Sequence, residues 1–322
     1  MERRVGRLDD EPLGINPISD EGLFMRGWLV LTLALTLTFA AFDKASAGDI
    51  FVDNLIGNDM FDGAVAQPID LGSGPVRTLR RAMHLAGFGD RIVLTQSGGT
   101  YYDSLSLTGT RHSGTTQRPF TIIGNGATLS GARAVPQEGW RRAGPDLWKL
   151  TLTRKGFYRL LRDGRPLPEL LPDPSLNPLE TLAAGQWTAW HGDVYFRADG
   201  DVPTTQSFAY AAEQTGLSLY QVENMRIENL TLRDFRFDGL RSQNMCRGVT
   251  LENVNCINNG RAGIAVTGTS HIEMIGGSVS ENGRHSLLIS SPATANLREV
   301  TTDVEPTVLP KWRPVIRAER KD

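Results

Sequence analysis

From Met225 to Val304 the chain repeats itself every 23 or 24 residues. Ile227, Leu251, Met274 and Leu297 hold equivalent places in successive copies, at steps of 24, 23 and 23 residues. Gly239-Leu240, Gly263-Ile264 and Ser286-Leu287 fall at the same steps, so a second register confirms the first. A period of this size belongs to stacked supersecondary units. Within each copy the apolar residues alternate at period two, the mark of a strand. Asn, Asp and Gly sit at the breaks, where turns need them. No helix-length segment lies inside a copy, so leucine-rich and tetratricopeptide-type repeats fit poorly. Three short strands per copy, rising by one strand spacing of about 4.8 Å per turn, give an all-β parallel β-helix, a solenoid.

The formal net charge of −2 offers no basic surface for nucleic acid. Two cysteines, Cys246 and Cys256, exclude a disulfide framework and a cysteine-based zinc site. Cys256 shares an inward strand position with Leu232 and Val279, as a small buried apolar residue. Residues 1–47 read as an extension plus export signal: Arg26, the uncharged run Trp28 to Phe42, then Ala45-Ser46-Ala47 as a cleavage site. The run is short for a spanning helix, which needs about 20 apolar residues. Met25 reads as the translation start and Gly48 as the mature N-terminus. The expected location is therefore secreted, periplasmic or cell-surface, with membrane contact only through the signal segment.

Residues 48–133 read as a cap and the first coils. Strands are expected at Asp49–Asp53, Asp90–Leu94, Ser104–Leu107 and Phe120–Ile123, with a helix over Val76–Ala86. Leu79, Ala82, Met83 and Ala86 share one helix face, and Gly87 and Gly89 end it. An open first coil exposes apolar surface and strand edges, so this helix is expected to cap it.

The stretches GPVRTLRRAMHLAGFGDRIVL, GGTYYDSLSL and SGTTQRPFTIIGNGATLSG resemble the N-terminal section of secreted right-handed parallel β-helix proteins of the pectate-lyase-like superfamily. That superfamily includes polysaccharide lyases and glycoside hydrolases. The resemblance covers most of residues 49–133 and 216–304. It implies a polysaccharide or other glycan as partner, and the same frame also serves non-catalytic proteins.

Residues 134–215 interrupt the repeat and contain Trp140, Trp148, Trp187 and Trp190. They read as a small β-rich insertion, similar to inserts in some β-helix glycoside hydrolases. Trp187 and Trp190 are candidates for stacking on sugar rings, against a competing role in the insertion's own core. Coils resume over 216–304. A tail, 305–322, follows, with Val308, Leu309, Trp312, Val315 and Ile316 as apolar anchors for covering the last coil.

Turn residues of a solenoid stack, so register identifies neighbours. Asp234, Asn258 and Glu281 align; so do Phe237, Arg261 and Arg284, and Asp238, Ala262 and His285. One corner thus gathers carboxylates, arginines and a histidine, while Asn229, Asn253, Asn258, Asn259 and Asn282 are expected to shape turns. Hydrolysis needs one carboxylic acid to protonate the leaving oxygen and a second carboxylate to activate water or attack. Asp234 and Glu281, two coils or about 9.6 Å apart, form such a pair, with Asp238 as a third acid. A lyase would instead use Arg261, Arg284 or His285 near a uronate. Lyases of the superfamily often use calcium, which wants several clustered oxygens; this corner has few, so no cofactor or metal is expected for hydrolysis. Arg261 also reads as a substrate contact. Three readings stay open: a hydrolase, a lyase, and a module that binds glycan without cutting it.

Overall fold

The computed structural model describes residues 48–200 and 202–309. The export-signal reading and the anchors Trp312, Val315 and Ile316 lie outside these residues.

Residues 48–309 contain a three-faced solenoid. The first face stacks Leu105–Thr108, Thr215–Tyr220, Asp238–Gln243, Ala262–Val266, His285–Ser290 and Thr307–Leu309. The second runs from Asp49–Val52 through Arg91–Leu94, Phe120–Ile123 and Glu223–Glu228 to Thr294–Arg298. The third starts at Thr128–Ser130 and Thr231–Arg233 and ends at Thr301–Thr302. Two long strands, Arg247–Ile257 and His271–Ser280, bend to serve both the second and third faces. All pairing within the solenoid is parallel.

Left-handed backbone makes the bend. Asn229, Asn253, Gly276 and Glu299 occupy one column with φ of +49°, +50°, +67° and +57°. Asparagine and glycine tolerate this region best, and the Asn253 amide donates to the Asn229 side-chain oxygen at 3.3 Å. Gly277, at φ +84°, is required sterically as well: a Cβ there would lie 2.2 Å from the Val254 carbonyl oxygen.

The inward side chains form continuous columns. Leu217, Leu240, Ile264 and Leu287 fill one, and Leu232, Cys256 and Val279 another, all nearly or fully buried. Both cysteines are free thiols, and burial pushes Cys256 well above the ordinary thiol range.

The cap helix is shorter than its periodicity predicts, Leu79–Leu85. Val76 bridges to Val52 instead of starting the helix, and the Asp59 side chain takes the amides of Arg77 and Thr78. Thr78 then caps the helix by accepting from the Arg81 N–H. Leu79, Ala82 and Met83 join the solenoid core. Beyond the last coil, Thr307–Leu309 pairs as a strand with Leu288–Ser290. The side chains expected there as anchors are outside: Val308 is 63% and Leu309 42% exposed.

The chain leaves the solenoid after Ser130 and returns at Thr215, between the third and first faces. The excursion contains two antiparallel sheets. One joins Ala132–Ala134, Phe208–Ala211, Leu160–Arg162 and Arg165–Pro166; the other joins Trp140–Arg142, Leu147–Leu150, Asp193–Arg197 and Trp187–Trp190. Their shared core contains Trp140, Leu160, Trp187, Phe196 and Phe208.

Candidate functional site at the insertion seam

The corner between the third and first faces is built by Asp234–Phe237, Asn258–Arg261 and Glu281–Arg284. Strand register brings Arg233, Ile257 and Ser280 together, so the residues that follow them stack. Asp234, Asn258 and Glu281 all turn through left-handed backbone, at φ +61°, +55° and +57°. Asn258 donates to Asp234 Oδ1 at 2.6 Å, Asn259 accepts from the Phe235 N–H, and Asn282 accepts from the Asn259 N–H. These asparagines satisfy backbone and neighbouring side chains, as turn residues do.

The insertion packs against this corner. Phe157 lies 5.0 Å from Phe237, ring centre to ring centre, and Arg236 donates to the Lys155 carbonyl at 2.7 Å. Arg233 reaches the Gly164 carbonyl, and Arg159 donates to the carbonyl of Glu281. Between the third face and the insertion lies an open groove of about 750 Å³, lined by Tyr102, Ser130, Arg133, Leu161, Glu213 and Asp234 among others.

Asp234, 3% exposed, meets this groove with both oxygens engaged. Arg233 Nε holds Oδ2 at 2.7 Å, the Ser130 hydroxyl donates to the same atom, and Asn258 holds Oδ1. Glu281 is on the exposed side of the corner, its amide fixed by Asp303 Oδ2 at 2.6 Å. Burial pushes the Asp303 carboxyl up, but hydrogen bonds from the Ser286 hydroxyl and the Glu281 amide outweigh it and hold it below the ordinary range.

Asp238 does not share a surface with these two. It is fully buried, and Arg261 grips it with both arms, at 2.9 and 2.5 Å. Burial raises its carboxyl, against the pull of Arg261 and Arg241. Arg261 also stacks on Phe237, 5.2 Å from the ring centre. Thus Asp238 and Arg261, expected as a third acid and a substrate contact, brace the ring that holds the insertion. Trp187 is likewise corrected: it is fully buried, with its indole N–H donated to the Leu167 carbonyl, and presents no face to a sugar. Its alternation with apolar Ala189 across from Phe196 and Val194 places it in the core. Trp190 is half-buried and lies edge-on to His191. Arg284 is exposed, and His285 is half-buried with Nδ1 2.9 Å from the Thr307 hydroxyl.

The sequence reading passed over two residues. Arg159 and Glu169, both from the insertion, sit 3.7 Å apart at the seam, with side chains 14% and 13% exposed. Arg284 approaches Glu169 from the solenoid at 3.6 Å. Burial pushes the Glu169 carboxyl above the ordinary glutamate range despite these two arginines. Burial also depresses the Arg159 guanidinium, offset by Glu169, Asp234 and Glu281, so all three carboxylates act on it. The only signal in the sequence was a single acid inside an apolar, proline-rich stretch, LPELLP. Among the described residues, no three His, Cys, Asp or Glu side chains are grouped to hold a metal ion.

The family model for a right-handed β-helix region matches residues 194–302. No curated protein sequence matches the chain. A solved glycoside hydrolase superposes with a TM-score of 0.52 at 12% identity, over 76% of this chain and 68% of its own. A lacto-N-biosidase from Eubacterium ramulus gives 0.41 at 13% identity, over 87% of this chain and 47% of its own. A pectate lyase gives 0.35 at 14%, over 80% and 63%. At such identities the likeness is one of fold. This chain is an all-β protein with a right-handed parallel β-helix.

Proposed function

We propose that this protein acts outside the cytoplasm on a polysaccharide held at the seam between solenoid and insertion, and that it cuts the chain by hydrolysis. One observation carries the reading. Arg159 contacts the Glu169 carboxylate and the Glu281 backbone, bringing a largely buried carboxyl and an exposed glutamate to one seam.

The chemistry follows from the two environments. A carboxyl raised by burial is suited to the general acid, so in this reading Glu169 is the proton donor to the leaving glycosidic oxygen. Glu281 accepts a proton from water as that water forms the new bond to the sugar carbon, and the carbon–oxygen bond to the leaving sugar breaks. Asp234 fixes the base of the groove through Arg233, Ser130 and Asn258, and the pair expected between Asp234 and Glu281 becomes Glu169 with Glu281. Tyr102, 65% exposed, offers an aromatic face on the groove wall.

The test is release of reducing ends from neutral and uronic polysaccharides, with absorbance near 235 nm followed in parallel. New reducing ends without absorbance are expected. Absorbance rising with them would replace hydrolysis by β-elimination and move the chemistry to Arg284 and His285. Binding without cleavage is the second reading, favoured by the complete engagement of Asp234. It would be established by retained polysaccharide affinity with no product.

A further inference from the structure

Phe237, Arg261 and Arg284 occupy one column of the corner, and each meets a different neighbour. Phe237 packs on Phe157 of the insertion. Arg261 turns to Asp238, on the coil before it, with two hydrogen bonds. Register places Ala262 one coil beyond Asp238, so the place that offers Arg261 a carboxylate offers Arg284 only a buried methyl group. The Arg284 backbone is fixed all the same, its N–H donating to the Arg261 carbonyl at 3.0 Å. Its guanidinium, on a side chain 39% exposed, leaves the solenoid and reaches Glu169 at 3.6 Å.

Glu169 is held from the other side. Its backbone bridges to Trp187, whose N–H donates to the Pro168 carbonyl and whose carbonyl accepts the Leu170 N–H. Trp187 is fully buried, so the carboxyl is anchored to the insertion's core. Two guanidiniums face it, Arg284 from the solenoid and Arg159 from the insertion, and these are the charged groups acting on it among the described residues. They are not equivalent. Arg159 is shared: it donates to the Glu281 carbonyl and lies in the fields of Asp234 and Glu281 as well as of Glu169. Among the described residues Arg284 makes no ion pair except that with Glu169. Burial is the largest influence on the Glu169 carboxyl and raises it; Arg284 opposes burial most strongly, and Arg159 after it. An opposite charge at this distance favours the ionised carboxyl, and a guanidinium supplies it at every working pH.

We infer that Arg284 is a positioning residue for the proton donor: it holds the Glu169 carboxyl across the seam and stabilises the carboxylate left once the proton has passed to the leaving oxygen. The inference rests on the hydrolytic reading above and adds to it a division of roles. The insertion brings the acid, and the solenoid brings its counter-charge.

The experiment is a nuclear magnetic resonance titration of the full chain carrying isotope-labelled glutamate carboxyls, with the Glu169 signal assigned by its loss in Glu169→Gln. Arg284→Met removes the cation and keeps an unbranched side chain. Glu169 is expected to titrate at higher pH in that variant, and near its original pH in Arg284→Lys. Turnover against pH is the second readout. The donor must hold its proton, so activity falls as pH rises through the Glu169 value. In Arg284→Met that fall should move to higher pH, with a lower maximum. A merely structural arginine would lower turnover at every pH and leave the fall in place. An unmoved Glu169 titration in folded Arg284→Met would overturn the inference, whatever the turnover. A moved titration beside an unmoved fall upholds the tie between Arg284 and Glu169 and overturns instead the assignment of Glu169 as donor. A moved titration in a protein that releases no reducing ends upholds the tie and overturns the hydrolytic reading.

Discussion

At the scale of single residues, backbone conformation and charge pairing decide what each position can do. Gly277 combines a left-handed φ with a neighbouring carbonyl in the space a Cβ would fill. Gly277→Ala should therefore cost about 2 kcal/mol or more from backbone strain alone, measured by denaturant unfolding. Asp238 is the clearest case of a residue whose type suggested chemistry and whose surroundings assign it structure. Its alignment with Ala262 and His285 was legible in the sequence; the bidentate grip of Arg261 was not, because side-chain direction across a corner does not follow from register. Asp238→Ala strands Arg261, and should destabilise the protein by about 3 kcal/mol. Limited proteolysis of the same variant should show the Phe237–Phe157 contact loosened, as faster cleavage in the insertion. Glu169 escaped notice for the opposite reason. Nothing repeats around it, and only tertiary packing places it between Arg159 and Arg284.

At the scale of elements, the cap helix shows how local and tertiary forces divide the work. Periodicity revealed its apolar face, but its start was set by Asp59, which no helical pattern could indicate. Its C-terminal end is latched from the first coil. Arg111 donates to the carbonyls of Ala86 and His84, and the neighbouring His112 bridges strand and helix. His112 Nδ1 accepts the Thr108 N–H at 3.1 Å, which leaves Nε2 to donate to the Met83 carbonyl at 3.3 Å. The bridge thus uses the neutral ring. Burial depresses the imidazole below its ordinary value, the Arg111 charge adds to this, and the bond to Met83 opposes both. The folded protein then binds fewer protons than the unfolded chain. The latch contributes fully above about pH 6.5 and is lost as pH falls from there through the depressed value. Thermal midpoints should decline from pH 6.5 to 5, and His112→Gln should flatten that part of the decline. An unchanged pH slope in the variant would contradict the latch.

At the scale of the whole molecule, two observations on the chain define the account: a repeat that cannot bury its apolar residues except by stacking, and an interruption of that repeat at one corner. The columns of the core were legible from Ile227, Leu251 and Met274 onward, because every inward position recurs. Truncating a column in its middle, as in Leu251→Ala, should cost about 3 kcal/mol and lower the cooperativity of unfolding along the solenoid, seen by calorimetry. The candidate site was legible only in its solenoid half. Asp234, Glu281, Arg284 and His285 lie at the corner where register put them, whereas the insertion's contribution depends on how two antiparallel sheets dock there. The central claim is that the seam cleaves a glycosidic bond with Glu169 as its proton donor. The most direct measurement compares turnover and polysaccharide affinity of Glu169→Gln with those of the unaltered protein. The account predicts a turnover lower by about 10² to 10⁴-fold with affinity retained. Unaltered turnover in a folded Glu169→Gln protein would contradict it.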